Sequence, residues 1–288
     1  MIDVQWLKFG KNDTDLNLCA TNPSSYNWAA VPSLTNSTST GTLVSSYNNT
    51  ALYPNLTVEM KMLKTGALNV KWMYADSNMS GYTAPFEVPT DIVNTKRNET
   101  MNGAILSNYI NVGDGAQSPL LSVKNSNSTV IYDLGSLVLK EHFNYISQSV
   151  HVKSGDDFKG IMGLAERTGS DLFLNDNGIY ALWSRDIPNP VEDARLPGKN
   201  LYGVHPFYMG RASDDTWFGV YTNVAAAQDW TVKNTASNGL VDLTMTAAGG
   251  LGDLYFMMAA KPTDVAKMYQ SAIVGTPVLT PQWALGWN

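Results

Sequence analysis

The side chains able to do chemistry are few and scattered. Histidine occurs three times, at His142, His151 and His205, with no HExxH and no pair four residues apart. The spacing that puts two imidazoles on one helix face around a metal is therefore missing. Cys19 is the single cysteine, with no base beside it in sequence. It permits no intrachain disulfide and at most one bridge to another chain. The acidic doublets Asp156-Asp157 and Asp214-Asp215 stand beside Gly or Ser and read as turns. G-x-S-x-G, the P-loop and G-x-G-x-x-G are absent, and residues 249–252 (GGLG) match none of them. These patterns assign no catalytic residue, metal or cofactor. One modification signal does recur. N-x-S/T sequons fall at Asn12, Asn36, Asn48, Asn55, Asn78, Asn98 and Asn127, all before residue 130. Composition alone accounts for about four, so glycosylation of some is expected.

The chain that carries these groups has 288 residues, a net charge of −6 and only 15% charged residues against 44% hydrophobic. That balance excludes disorder and argues against nucleic acid, which needs a cationic face. Asparagine (26) and serine plus threonine (47) replace the missing charge. A neutral polar surface of this kind suits a secreted protein and suits sugar binding. No apolar run reaches the ~18–20 residues of a membrane span. Residues 1–10 (MIDVQWLKFG) lack the apolar core of a signal peptide, so a secreted reading requires one to lie outside this numbering.

Period-2 alternation predicts half-buried strands: Leu56, Val58, Met60 and Met62; Leu68, Val70, Trp72 and Tyr74; Val241, Leu243 and Met245. Residues 208–212 and 217–221 flank the polar turn SDDT, a hairpin signal. Residues 254–260 are continuously apolar, as for a strand covered on both faces. Helical periodicity is confined to the end, where Pro262 opens a helix with Thr263 as cap. Its apolar face is Val265, Met268, Tyr269 and Ala272, and Gly275 closes it. Many short strands between turn residues predict a mainly β protein, a β-sandwich.

Residues 158–288 hold the most specific segments. In order they read FKGIMGLAERTGS (158–170), LWSRDIPNP (182–190), NLYGVHPFYM (200–209), FGVYTN (218–223), DLYFMMAA (253–260), PTDVAKMY (262–269) and PQWALGWN (281–288). This series closely resembles the N-terminal part of glycoside hydrolase family 31, the α-glucosidases. That family shows G-[LF]-[GA]-E, [FW]-x-R-D, N-L-Y-G-x-H-P-F-Y, an F-G-V hairpin, a Pro-led helix and P-x-W-[AG]-L-G. Residues 1–157 join the resemblance only by position.

The resemblance implies a galactose-mutarotase-like β-sandwich over residues 1–261, a linking helix over 262–277, and the first strand of a (β/α)8 barrel over 278–288, completed elsewhere. The family's catalytic aspartates lie on the barrel, in motifs that this chain lacks. The partner implied is therefore a second chain carrying the barrel, with an oligosaccharide as substrate and no cofactor. Activity would be retaining hydrolysis of terminal α-linked glucose by the complex, in a secreted, lysosomal, vacuolar or other secretory-pathway location. Asp186 takes the place of a sandwich-loop residue that contacts sugar hydroxyls at the barrel mouth, with Arg185 to hold it ionised. Alternatively Asp186 shapes the loop before Pro188 and Pro190. Pro188 stands where some relatives carry a threonine contact. Glu166 is read as structural. Trp183, Tyr202, Trp217 and Trp230 either stack on sugars or fill the core. Two other readings stay open: a non-catalytic carbohydrate-binding or structural module, and a sandwich enzyme such as a sugar mutarotase, for which no His and Glu pair is fixed by spacing.

Overall fold

The computed structural model describes residues 26–45, 55–75, 88–89, 93, 97–113, 119–140, 143–155, 160–167, 172–174, 178–184, 200–235, 238–250, 252–276 and 278–286. They form a mainly β structure of 15 strands: β1 (Tyr26–Ala30), β2 (Thr38–Ser45), β3 (Leu56–Met62), β4 (Leu68–Tyr74), β5 (Ile110–Val112), β6 (Leu121–Lys124), β7 (Val130–Lys140), β8 (Phe143–His151), β9 (Ile161–Gly163), β10 (Gly178–Leu182), β11 (Phe207–Arg211), β12 (Trp217–Thr222), β13 (Gln228–Thr235), β14 (Leu240–Ala247) and β15 (Asp253–Ala259). One sheet has the order β1-β2-β3-β4-β15-β12-β11-β9 and the other β10-β13-β14-β8-β7-β6-β5. All of the strand pairs are antiparallel.

The two sheets meet face to face because of the alternation. Leu56, Val58, Met60 and Met62 on β3, and Val241, Leu243 and Met245 on β14, are buried in one shared core. Aromatic rings cross the gap. Tyr208 packs edge-on against Trp230 at 5.9 Å and its hydroxyl donates to Gln148 Oε1 at 3.0 Å. Tyr132 meets Phe256 at 4.8 Å. The Trp28 indole N–H donates to Leu120 O at 2.9 Å.

β15 is covered on both faces, as its unbroken apolar run requires. Leu254 and Phe256 face the sandwich core, while Tyr255 and Met257 face a second cluster under helix α1 (Pro262–Tyr269). Gly219 on β12 lets the helix approach: a Cβ there would stand 2.7 Å from Phe207 and 2.8 Å from Val265. Thr263 does not cap the helix. The N-cap is Lys261, in extended backbone with no side-chain bond, and Pro262 fills the first turn where no amide hydrogen is needed. The helix passes into a π turn, Gln270–Val274, which buries Ala272 and Ile273 before Gly275 turns the chain at φ 78°. Beyond it, residues 278–281 hold no regular structure and Gln282–Ala284 form a 3-10 turn. Trp287 and Asn288 lie outside the described residues.

Candidate functional site

The edge strands of the two sheets, β9 and β10, come together at one corner, and Arg167 joins them. The turn after β9 is tight: Leu164 and Ala165 both adopt positive φ, 58° and 75°. This turn aims Arg167 across to the other sheet. Its Nε donates to Leu164 O and its Nη2 to Ala181 O on β10 at 2.8 Å. The guanidinium lies 5.1 Å from the Tyr180 ring centre. Burial brings its pKa down to about 10, against the pull of Tyr180 and Asp229.

A third segment closes the corner. Arg167 and Asn200 form a β-bridge. Asn200 Nδ2 donates to Gly203 O at 2.8 Å and to Glu166 O at 3.3 Å. Gly203 N donates to Glu166 Oε2 at 2.8 Å, and Leu201 N to Glu166 O at 3.0 Å. Glu166 is thus a structural acceptor tying the GLAER turn to the NLYG loop. Gly203 packs so closely on Glu166 that a side chain there would crowd it, with His205 alongside. A Cβ there would sit 3.3 Å from Glu166 Oε2 and 3.8 Å from His205 Nδ1. Sequence spacing had not paired this glutamate with a histidine. It also passed over Arg167 and Asn200, although both lie inside the segments that carry the resemblance.

Two aromatic side chains leave this corner outward. Trp183, two residues after Ala181, is 52% exposed, and Tyr202, two residues after Asn200, is 54% exposed. Trp230 is buried core and Trp217 is half-buried against the helix cluster. Of the residues expected to meet sugar, Arg185 and Asp186 lie outside the described residues. Cys19 and His142 do too, as do the sequons at Asn12, Asn48 and Asn78. Asn36, Asn55, Asn98 and Asn127 are exposed.

His151 is engaged elsewhere. His151 Nε2 is 2.6 Å from Asp133 Oδ2, and Ser122 donates to Asp133 Oδ1. The serine bonds the carboxylate and not the imidazole, which is not the geometry of a nucleophile and its base. Among the described residues no three of His, Cys, Asp and Glu gather as a metal site. Also among the described residues, no helix is long and apolar enough to cross a membrane.

No sequence model of a known family matches the chain. Over 276 residues it is 25% identical to lysosomal alpha-glucosidase of Rattus norvegicus, covering 92% of this chain and 26% of the relative. Over 130 residues, 44% of this chain and 12% of the relative, it is 36% identical to glucoamylase 1 of Candida albicans. The chain therefore spans 26% or less of the length of these relatives. Its fold matches the glucosidase II alpha subunit in the Tris-bound form with a TM-score of 0.68 at 12% identity, over 88% of this chain and 34% of that one. The match to the chain from the ER glucosidase II heterodimeric complex has a TM-score of 0.59, with the same coverage and identity. A β-sandwich of this topology, aligned almost end to end with a lysosomal alpha-glucosidase, relates the chain to the α-glucosidases of glycoside hydrolase family 31.

Proposed function

We propose that this chain is the non-catalytic β-sandwich portion of a retaining α-glucosidase that removes terminal α-linked glucose from oligosaccharides. The observation that carries the proposal is the apolar segment after the helix. Val278 is 94% exposed and Trp283 84%, with Leu279 and Leu285 also largely in solvent. A run of this kind marks a contact surface. In this reading it enters a catalytic (β/α)8 barrel as the first strand, residues 278–288, behind a sandwich of residues 1–261 and a linking helix of 262–277. A strand lacks ladder partners until a neighbour supplies them, which accounts for its irregular form in the isolated chain.

The barrel supplies both carboxylates, which retaining hydrolysis needs ~5–5.5 Å apart on either side of the scissile bond. The sandwich supplies the rim, with Asp186 accepting from sugar hydroxyls and Arg185 keeping it ionised. In this reading the assembly is a glycosylated heteromer of the secretory pathway, lysosome or vacuole, a location that the sequons support. Purifying the native assembly and sequencing its chains tests this. A barrel-bearing chain is expected; this chain found without one overturns the reading. Asp186→Ala is expected to raise KM for disaccharides by a factor matching about 1–3 kcal/mol, and an unchanged KM removes Asp186 from the rim. The runner-up, a carbohydrate-binding or structural module of the same fold, is favoured if no barrel occurs in the precursor or in a partner.

A further inference from the structure

Among the described tryptophans, Trp28, Trp72 and Trp230 are buried in the sandwich core and Trp217 is half-buried under the helix. Trp183 breaks that pattern on a loop away from the apolar 278–285 segment, and the Tyr202 ring is likewise exposed, just after Asn200. Each stands two residues from a position tied to Arg167: Ala181 through its carbonyl, Asn200 through a β-bridge. The anchor is stiff. Arg167 is held by two carbonyls and the Tyr180 ring, and Asn200 and Glu166 are bonded to the same loop from both sides.

We propose that Trp183 and Tyr202 form an aromatic contact for the pyranose ring of an α-glucosyl oligosaccharide, with Arg167 as the positioning residue that fixes both stems. An indole and a phenol present a flat apolar body with a polar tip, matching a sugar ring's C–H face and its hydroxyl edge. A ring left in water at a fixed place loses little conformational freedom when ligand arrives. Glu166 and His205, both exposed, offer a carboxylate and an imidazole as hydroxyl partners on the turn and loop that Asn200 and Gly203 tie together. The inference rests on reading this corner as the substrate rim, and extends that rim from Asp186 to residues of a different chemistry.

Titration of the full 288-residue chain with maltotriose, followed by tryptophan emission, tests it. A saturable blue shift is expected as the Trp183 indole leaves water. Trp183→Ala abolishes the shift, and Tyr202→Ala weakens binding about fivefold or more. Arg167→Ala loses the shift while keeping a cooperative urea transition, and Arg167→Lys, which reaches one carbonyl but not both, recovers part of it. If Arg167→Ala does not fold, Arg167→Lys carries the positioning test. No emission change up to the solubility limit of maltotriose, or an undiminished shift in Trp183→Ala, overturns the proposal. A full shift in both Arg167 variants removes the positioning role. Asp186→Ala separates this from the parent reading. If it abolishes binding while both aromatic variants bind normally, the rim stands and the aromatic contact falls. If the aromatic variants lose binding and Asp186→Ala does not, the contact stands without Asp186.

Discussion

Asp214 sits at the tip of the β11–β12 hairpin and accepts from three residues. Asn125 Nδ2 and Asn127 Nδ2 reach its Oδ2 at 2.8 and 2.9 Å, and Thr216 N reaches its Oδ1 at 3.2 Å. Burial raises its pKa, but the bonds from Asn127, Asn125 and Thr216 together outweigh it and hold the carboxyl down at about 2. A carboxyl depressed in the folded state stabilises fully above its unfolded value and loses that contribution as pH falls through the folded one. Asp214→Ala is therefore expected to cost about 0.5–1 kcal/mol at pH 7, discounted for its solvent exposure. Urea unfolding across the acid range should show the gap to wild type narrowing below the ordinary carboxylate pKa and closing below pH 2. Asp253 behaves oppositely. Burial raises its pKa, although Asn223, Lys71, Asn69 and Arg97 pull it down. The folded state then holds the proton more tightly than the unfolded one, so this group makes stability fall as pH rises above its ordinary carboxylate value. Asp253→Asn should flatten that slope in the same unfolding series. Neither environment is written locally in the sequence. Asp214-Asp215 reads as a turn, which it is, but two of the three donors to Asp214 come from residues 87 and 89 positions away.

Element by element, the sequence is most transparent where one face is buried and the other wet. β3 and β14 alternate because each has a core side and an outer side, β4 does so from Val70 on because Asn69 is buried against Asp253, and β15 is apolar from Leu254 on because α1 covers its outer side. The helix is legible from its four apolar positions, but its cap is not. Thr263 looks like a capping residue, yet Pro262 enters one residue earlier and makes Lys261 the N-cap. The Arg167 corner is opaque for a different reason: its partners, Ala181 and Asn200, have no periodic relation to it. At this scale the sharpest test is Gly219. A methyl there must displace Phe207 or Val265, and Gly219→Ala should destabilise by about 1–3 kcal/mol in denaturant melts.

Taken whole, the described residues form a packed interior of two sheets and an exposed apolar segment. Substituting the first is costly and the second nearly free. Trp230→Ala, in the core, is expected to lower stability by about 3–5 kcal/mol. Trp283→Ser should change it by less than about 0.5 kcal/mol. It should also reduce self-association of the isolated chain in sedimentation velocity, since an exposed apolar run favours association. The surface carries one further consequence, at Asn127. The nitrogen that would bear a glycan is the one donating to Asp214, and its neighbours are already folded around it: Asn127 N and Thr129 N both donate to Asn125 Oδ1. Sugar attachment removes one of that amide's two hydrogens. The remaining hydrogen can still serve Asp214, but the closed hairpin holds this nitrogen against the carboxylate and away from the transferase, so the sugar-free fraction of Asn127 becomes a clock. When the chain passes through a eukaryotic secretory pathway, peptide mapping should find Asn127 less occupied than Asn36 and Asn98. The shortfall measures how often this hairpin closes before the transferase arrives.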